Sequence, residues 1–150
     1  MSLPPHWRED VGARFPELRQ EFDDYECDTP YLIWFQLRSA FERAYEQSPP
    51  DEAFIRRIYL YYDWCARAPR GKTAEDDLLT CVCVCFLEHI PEHPAARADM
   101  PRWFPLEELL LSRGIFSYMI GVDGFAELEA HFRRHPNAFV PWSPPDAPPA

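Results

Sequence analysis

Proline is unusually frequent in this chain, with 17 residues among 150, and most of these prolines stand where a helix can begin or end. Proline suits the first turn of an α-helix, where the N–H group that it lacks has no partner, and it disrupts a helix interior. Thr29 precedes Pro30, where its hydroxyl can cap a helix, and acids follow both Pro16 and Pro50, at the positive end of a helix dipole. The prolines therefore divide the chain into segments of helical length.

Apolar residues within these segments recur with the helical period. We expect helices near residues 16–26, 30–47, 51–67, 74–90, 105–113 and 124–135, with a short helical turn at 94–99. Ile33, Leu37 and Phe41 lie on one stripe, so the helix at 30–47 has one buried face. Gly114 is expected to end the preceding helix. Residues 115–120 are short, apolar and flanked by glycines, which suits either a strand or buried chain.

The segment from Leu78 to Leu87 is apolar nearly all round, with Thr80 as its only polar residue. A helix with no polar face must be covered on several sides. The sequence therefore predicts an all-α fold, an antiparallel bundle of about six helices around a central apolar helix at about 74–90. At most one short strand, near 115–120, would accompany it.

Length and composition are those of one packed domain. A chain of 150 residues with 47% hydrophobic and 15% aromatic residues can form a core without disulfides or metals. We expect a single helical domain over residues 1–140, followed by a Pro-rich, disordered tail over residues 141–150.

The charge balance of the chain is acidic, with 15 basic and 25 acidic residues and a net charge of −10. Nucleic acids and anionic lipids attract clustered Lys and Arg, so neither is an expected partner. An acidic chain is kept soluble by self-repulsion or meets a basic partner. The start of the chain has no secretion leader, and three of the five cysteines crowd into residues 81–85, which indicates reduced thiols. We therefore expect a cytoplasmic protein of bacterial type.

The acidic stretch between residues 17 and 28 is the best candidate for a binding surface. Its acids, offset within that span only by Arg19, are Glu17, Glu21, Asp23, Asp24, Glu26 and Asp28. At an interface these charges would speed association with a basic protein; a solvated helix face explains them equally well. Arg102 and Trp103 are further candidate contacts, and the alternative is that Arg102 lies across the indole inside the core.

A cluster of thiols and imidazoles offers a metal site as an alternative. Cys81, Cys85 and His89 are spaced by four and would share one helix face, with His93 or Cys65 completing a site for zinc or another soft metal. We favour small hydrophobic cysteines in a core helix, and we expect no cofactor. Glu88 beside His89 and His93 could perform acid–base chemistry; a histidine near a helix C-terminus also simply suits the dipole.

Several strings taken together resemble an uncharacterised family of small bacterial helical domains over about residues 15–132. The strings are Phe15-Pro16-Glu17-Leu18, Tyr31-Leu32-Ile33-Trp34, Ile58-Tyr59, Trp64-Cys65, Phe86-Leu87-Glu88-His89-Ile90-Pro91 and Met100-Pro101-Arg102-Trp103. Such acidic domains are similar in style to immunity proteins that neutralise toxins in bacterial competition. The resemblance implies no catalytic residues.

These observations predict a non-catalytic, cytoplasmic protein-binding domain, in one form an immunity protein that occludes a basic toxin through its acidic surface. The first alternative is a small metal-binding protein or hydrolytic enzyme that uses Glu88, His89 and His93 with Cys81 and Cys85. The second is a scaffold in which an aromatic surface pairs two copies. Neither the partner nor the oligomeric state follows from the sequence.

Overall fold

The computed structural model describes residues 3–141, and in that part the chain is all-helical, which confirms the predicted helical bundle. The α-helices are α1 (Trp7–Arg14), α2 (Arg19–Asp24), α3 (Pro30–Glu46), α4 (Glu52–Arg67), α5 (Leu78–Cys85), α6 (Pro94–Trp103), α7 (Leu106–Leu111) and α8 (Arg113–Arg134). Short 3₁₀ segments occupy Pro16–Leu18, Ala74–Asp76 and Leu87–Glu92. Of the tail predicted at 141–150, only Pro141 lies within the described residues. No helix in the described part is long and apolar enough to cross a lipid bilayer.

Helices α3 and α4 begin at capping side chains, of which the sequence indicates Thr29. Thr29 accepts a hydrogen bond from the N–H of Leu32 through its side chain, with Pro30 in the first turn of α3. Asp51 accepts one from the N–H of Phe54 at the start of α4. Because these caps satisfy N–H groups that the helix itself leaves open, they fix where each helix starts.

The Cα positions group into two compact units, Met1–Phe86 and Leu87–Ala150, and each is described by itself. The single domain expected over residues 1–140 stays a prediction.

Aromatic rings dominate the core of the first unit, where α3 and α4 pack on α5. The Trp34 indole stacks on Tyr61 at 5.3 Å between ring centroids and on Phe86 at 5.0 Å. Phe41 meets Phe86 edge to face, also at 5.0 Å. These side chains are at most 1% exposed, and burying each contributes roughly 1.5–3 kcal/mol to folding.

Helix α5 is shorter than the sequence predicts. It ends at Cys85 rather than near residue 90, because Phe86 leaves helical geometry at φ −129° and ψ −63°. Pro91 lacks the N–H that an α-helix would need there, and the chain continues as the 3₁₀ segment. Cys81, Val82 and Cys85 are buried and α5 packs on both α3 and α4, so the helix is covered on several sides as expected, while Val84 is 44% exposed.

The segment at 115–120 is helical, so the strand considered for it is wrong. It belongs to α8, which breaks at Gly121 with φ +74° and ψ −180°, backbone angles that favour glycine. An Nη2 of Arg113 lies 3.4 Å from Oε1 of Glu129, sixteen residues later, whereas a straight helix would separate their Cα atoms by about 24 Å. The element therefore doubles back at Gly121 into two antiparallel arms.

We call residues 113–120 the first arm and residues 122–134 the second arm. Phe116 from the first arm and Phe125, Leu128 and Phe132 from the second are buried in the second unit. Gly114 lies inside the first arm, and the helix before it already ends at Leu111 rather than at Gly114 as expected.

Candidate binding surface: the acidic turn

The chain leaves α2 through a tight, exposed turn at residues 23–28, which we call the acidic turn. The N–H of Cys27 donates to the carbonyl oxygen of Phe22 at 2.8 Å, and both side chains are buried. Glu26 adopts a positive φ of 49°, a conformation uncommon for a residue with a side chain. The backbone is therefore held in one shape by its buried anchors, and strained positions of this kind often occur at functional sites.

Tyr25 stands among the acids of this turn with 65% of its surface exposed. Asp24 and Glu26 flank it, and Asp23 and Asp28 are exposed nearby. Tyrosine is enriched among the residues that contribute most to protein–protein binding, because a rigid ring buries much area at little entropic cost. Sequence reasoning missed Tyr25, although a single aromatic residue inside a run of acids was a visible signal.

Arginine side chains from other elements form ion pairs with two acids that precede the acidic turn and with the first residue of the turn. Arg57 pairs with Glu17, Arg43 with Glu21 at 3.4 Å, and Arg8 with Asp23 at 3.4 Å. Of the predicted contact residues, Glu21 is therefore half-buried against Arg43, whereas Asp24, Glu26 and Asp28 remain exposed. The negative surface is concentrated where Tyr25 lies.

Arg8 also holds the turn in place. Its Nε donates to the carbonyl oxygen of Cys27 at 2.9 Å, and its guanidinium lies 5.4 Å from the centroid of the Phe22 ring. Because one arginine contacts the backbone of the turn, its buried ring and the carboxylate of Asp23, the turn is ordered before any partner arrives. Such pre-organisation lowers the entropic cost of binding.

The remaining two predicted contact residues lie elsewhere, in the second unit. Trp103 is only 4% exposed, and its Nε1 donates to Oδ2 of Asp99 at 3.0 Å. Arg102 pairs with Asp99 at 3.1 Å and lies 5.5 Å from the centroid of the Trp103 ring. This arrangement matches the core alternative, so the pair offers no exposed aromatic anchor.

The metal alternative required one continuous helix, which the structure does not provide. Helix α5 ends at Cys85 and His89 lies in a 3₁₀ segment, so a spacing of four no longer places Cys81, Cys85 and His89 on one face. His93 caps α6 instead, its Nδ1 accepting from the N–H of Ala96 at 3.4 Å. Within residues 3–141, no group of three or more His, Cys, Asp or Glu side chains is arranged to hold a metal ion.

The buried thiols are also poorly suited to chemistry. A hydrogen bond with Cys85, together with burial, raises the pKa of the Cys81 thiol well above its ordinary value. Burial raises the pKa of Cys65 to about 12. Because the thiolate is the nucleophile and the metal ligand, these groups are inert at neutral pH.

His89 is held between two carboxylates. Its Nδ1 lies 2.6 Å from Oε1 of Glu92 and its Nε2 lies 3.5 Å from Oε1 of Glu88. Residues 89–93 have the His-x-x-Glu-His order of some zinc proteases, whose histidines share one face of an α-helix. Here Pro91 interrupts the segment and His93 serves as a cap, so the order has no metal-binding geometry.

No family model matches this sequence, and the comparisons with curated proteins and with solved structures found no match. The resemblance to small bacterial helical domains therefore stays a prediction.

Proposed function

We propose that this chain is a non-catalytic protein-binding domain that holds a basic protein through the acidic turn. The observation that carries the proposal is Tyr25, 65% exposed among the exposed carboxylates of Asp24, Glu26 and Asp28 on a pre-ordered turn. Occlusion of the partner's surface would be the whole mechanism, as when an immunity protein blocks a basic toxin. Five cysteines without disulfides suit a reducing bacterial cytoplasm as the setting.

The two kinds of residue in the turn have different roles in this proposal. Carboxylates at the edge of an interface attract a basic partner over distance, raise the association rate and make it sensitive to salt. A tyrosine at the centre loses its water on binding and slows dissociation. The net charge of −10 adds a long-range field of the same sign.

Affinity capture with matched tyrosine variants tests this proposal. Wild-type protein, Tyr25→Ser and Tyr118→Ser would be immobilised and exposed to a lysate of the source organism at low and moderate salt. Tyr118 is 74% exposed in the second unit, so its variant matches the loss of exposed ring area without touching the acidic turn.

We expect one basic protein to be retained stoichiometrically by the wild type and by Tyr118→Ser, and at least tenfold less by Tyr25→Ser. Moderate salt should weaken retention on every column, since screening shortens the reach of the charges. Equal retention by Tyr25→Ser, or the absence of any basic protein at low salt, would count against the acidic turn as the binding surface.

A further inference from the structure

The first arm of α8 has apolar side chains on two sides. Phe116 points into the core of the second unit and is fully buried. On the other side Tyr118 is 74% exposed, and the residues that bracket the arm, Leu111 at the end of α7 and Val122 after the break at Gly121, are 82% and 83% exposed. A surface helix needs one apolar side to pack on its own core. The second apolar side therefore has no role inside this unit.

We call the exposed apolar residues from the end of α7 to the residue after the break the arm face. They are Leu111, Ile115, Tyr118, Met119 and Val122. Met119 is 40% exposed and Ile115 is half-buried. Within the first arm, spacings of three and four place Ile115, Tyr118 and Met119 side by side, and Leu111 lies at the end of α7. Val122 follows the break at Gly121, so the face ends at the point where the arm turns back.

The arm face lies in the longest charge-poor stretch of exposed helix in this unit. Arg113 is the only charged residue between Leu109 and Val122. Its guanidinium is directed to the second arm, 4.7 Å from the centroid of the Phe125 ring and 3.4 Å from Glu129. Two copies of a chain with a net charge of −10 repel each other over most of their surface. They meet least repulsion where carboxylates are fewest, and the stretch from Leu109 to Val122 contains none, with Glu108 and Asp123 directly outside it.

The area of the arm face is sufficient for pairing with itself. Its exposed side chains present roughly 500 Å², near the upper size of apolar patches on monomeric proteins. Two such faces would bury about 1,000 Å², the lower bound for a specific interface. A Cβ atom at Gly114 would have nothing within 4 Å, so two arms can approach closely there. A helix that packs on its own copy uses one patch twice, which is the usual way to build a dimer.

We propose that the arm face binds the arm face of a second copy of this chain, so that the protein forms a two-fold symmetric dimer. The dimer depends on residues other than those of the acidic turn, which belongs to the other unit. Because the interface is small, the dimer forms in the micromolar range and exchanges with monomer.

Sedimentation velocity from about 1 to 100 µM protein, the range in which such an interface dissociates, tests the dimer. The samples are wild type, Tyr118→Ser, Val122→Ser and, as the matched control, Tyr25→Ser. We expect the wild type and Tyr25→Ser to show the same concentration-dependent dimer. Tyr118→Ser and Val122→Ser should each raise the dissociation constant at least tenfold, with unchanged circular dichroism spectra. Added salt should strengthen the dimer, because it screens the repulsion between acidic copies.

Two results would overturn the dimer. One is a wild-type protein that stays monomeric over the whole concentration range at low and high salt. This includes the case in which the arm face binds a different protein, seen in the affinity capture as a lysate protein that the wild type retains and Tyr118→Ser loses. The other is a dimer unaffected by both Tyr118→Ser and Val122→Ser. Neither result bears on the acidic turn, whose own test depends on Tyr25.

Discussion

At the scale of single residues, Asp77 shows how one carboxylate organises a loop. Asp77 is 4% exposed and is the one buried charged side chain in the part of the chain that the structure describes. Arg70 donates to it from Nε at 2.9 Å and Nη2 at 2.8 Å, Gly71 donates its backbone N–H at 3.1 Å, and Thr80 donates its hydroxyl at 2.6 Å. Thr80, the only polar residue in the apolar run of α5, thus has a structural role.

Replacing Asp77 by Asn should destabilise the fold at neutral pH. The hydrogen bonds from Arg70 and Thr80 hold the pKa of Asp77 well below its usual range. Since the folded-state pKa lies below the unfolded one, the carboxylate's contribution is complete above the unfolded value of about 3.9 and fades as the pH falls below it. Asp77→Asn should lower the free energy of unfolding by roughly 1–3 kcal/mol at pH 7, measured by urea denaturation.

The pH dependence provides the control for this prediction. The gap in unfolding free energy between wild type and Asp77→Asn should shrink as the pH falls below about 4. Asp24→Asn, on the exposed acidic turn, should change little at either pH. A gap of the same size at pH 7 and pH 3 would show that the charge of Asp77 is not what stabilises the loop.

At the scale of elements, local signals predicted more than long-range ones. Helices α3 and α4 were predicted to within one or two residues, because Thr29, Pro30 and Asp51 fix their starts through contacts only three residues away. Helix α1 was missed, since only Val11 and Gly12 of its residues are buried and it has almost no apolar stripe.

Other elements depended on contacts that the sequence does not display. Residues 115–120 suited either a strand or buried chain because they are short, apolar and flanked by glycines, whereas they form part of the helical first arm of α8. The early end of α5 follows from the backbone of Phe86, which leaves helical geometry at a position where the apolar spacing continues unbroken. For the candidate site, charge pointed to the acidic turn, whereas the exposure of Tyr25 and the burial of Trp103 depend on the tertiary fold.

The reversal of α8 can be tested with two glycine substitutions. Gly121→Ala places a Cβ atom on a backbone with φ +74° and should lower the free energy of unfolding by roughly 1–3 kcal/mol. Gly114→Ala, in the helical first arm with open space around the added methyl group, should raise it by up to about 1 kcal/mol.

Urea denaturation measures both effects, at a protein concentration low enough to keep the chain monomeric. If α8 were a continuous helix in solution, both alanines would be stabilising. Opposite signs for the two substitutions are therefore the expected signature of the turn.

At the scale of the whole molecule, the chain carries two exposed surfaces of different chemistry. The acidic turn, in the first unit, presents carboxylates around Tyr25; the arm face, in the second, presents apolar side chains around Tyr118. Added salt should weaken binding of a basic partner at the acidic turn, because it screens the attraction between opposite charges. It should strengthen the dimer at the arm face, because it screens the repulsion between two acidic copies. The net charge of −10 is therefore consistent with both proposals, but only the local distribution of charge distinguishes their sites.

The most direct test of the acidic turn is the binding kinetics of the captured basic protein at two salt concentrations. The double variant Glu26→Gln, Asp28→Asn keeps side-chain size and removes two charges, and Tyr25→Ser keeps the charges and removes the ring. We predict that the double variant lowers the association rate constant severalfold and flattens its salt dependence, while Tyr25→Ser mainly speeds dissociation. Association that is independent of salt and unchanged in the double variant would contradict the account.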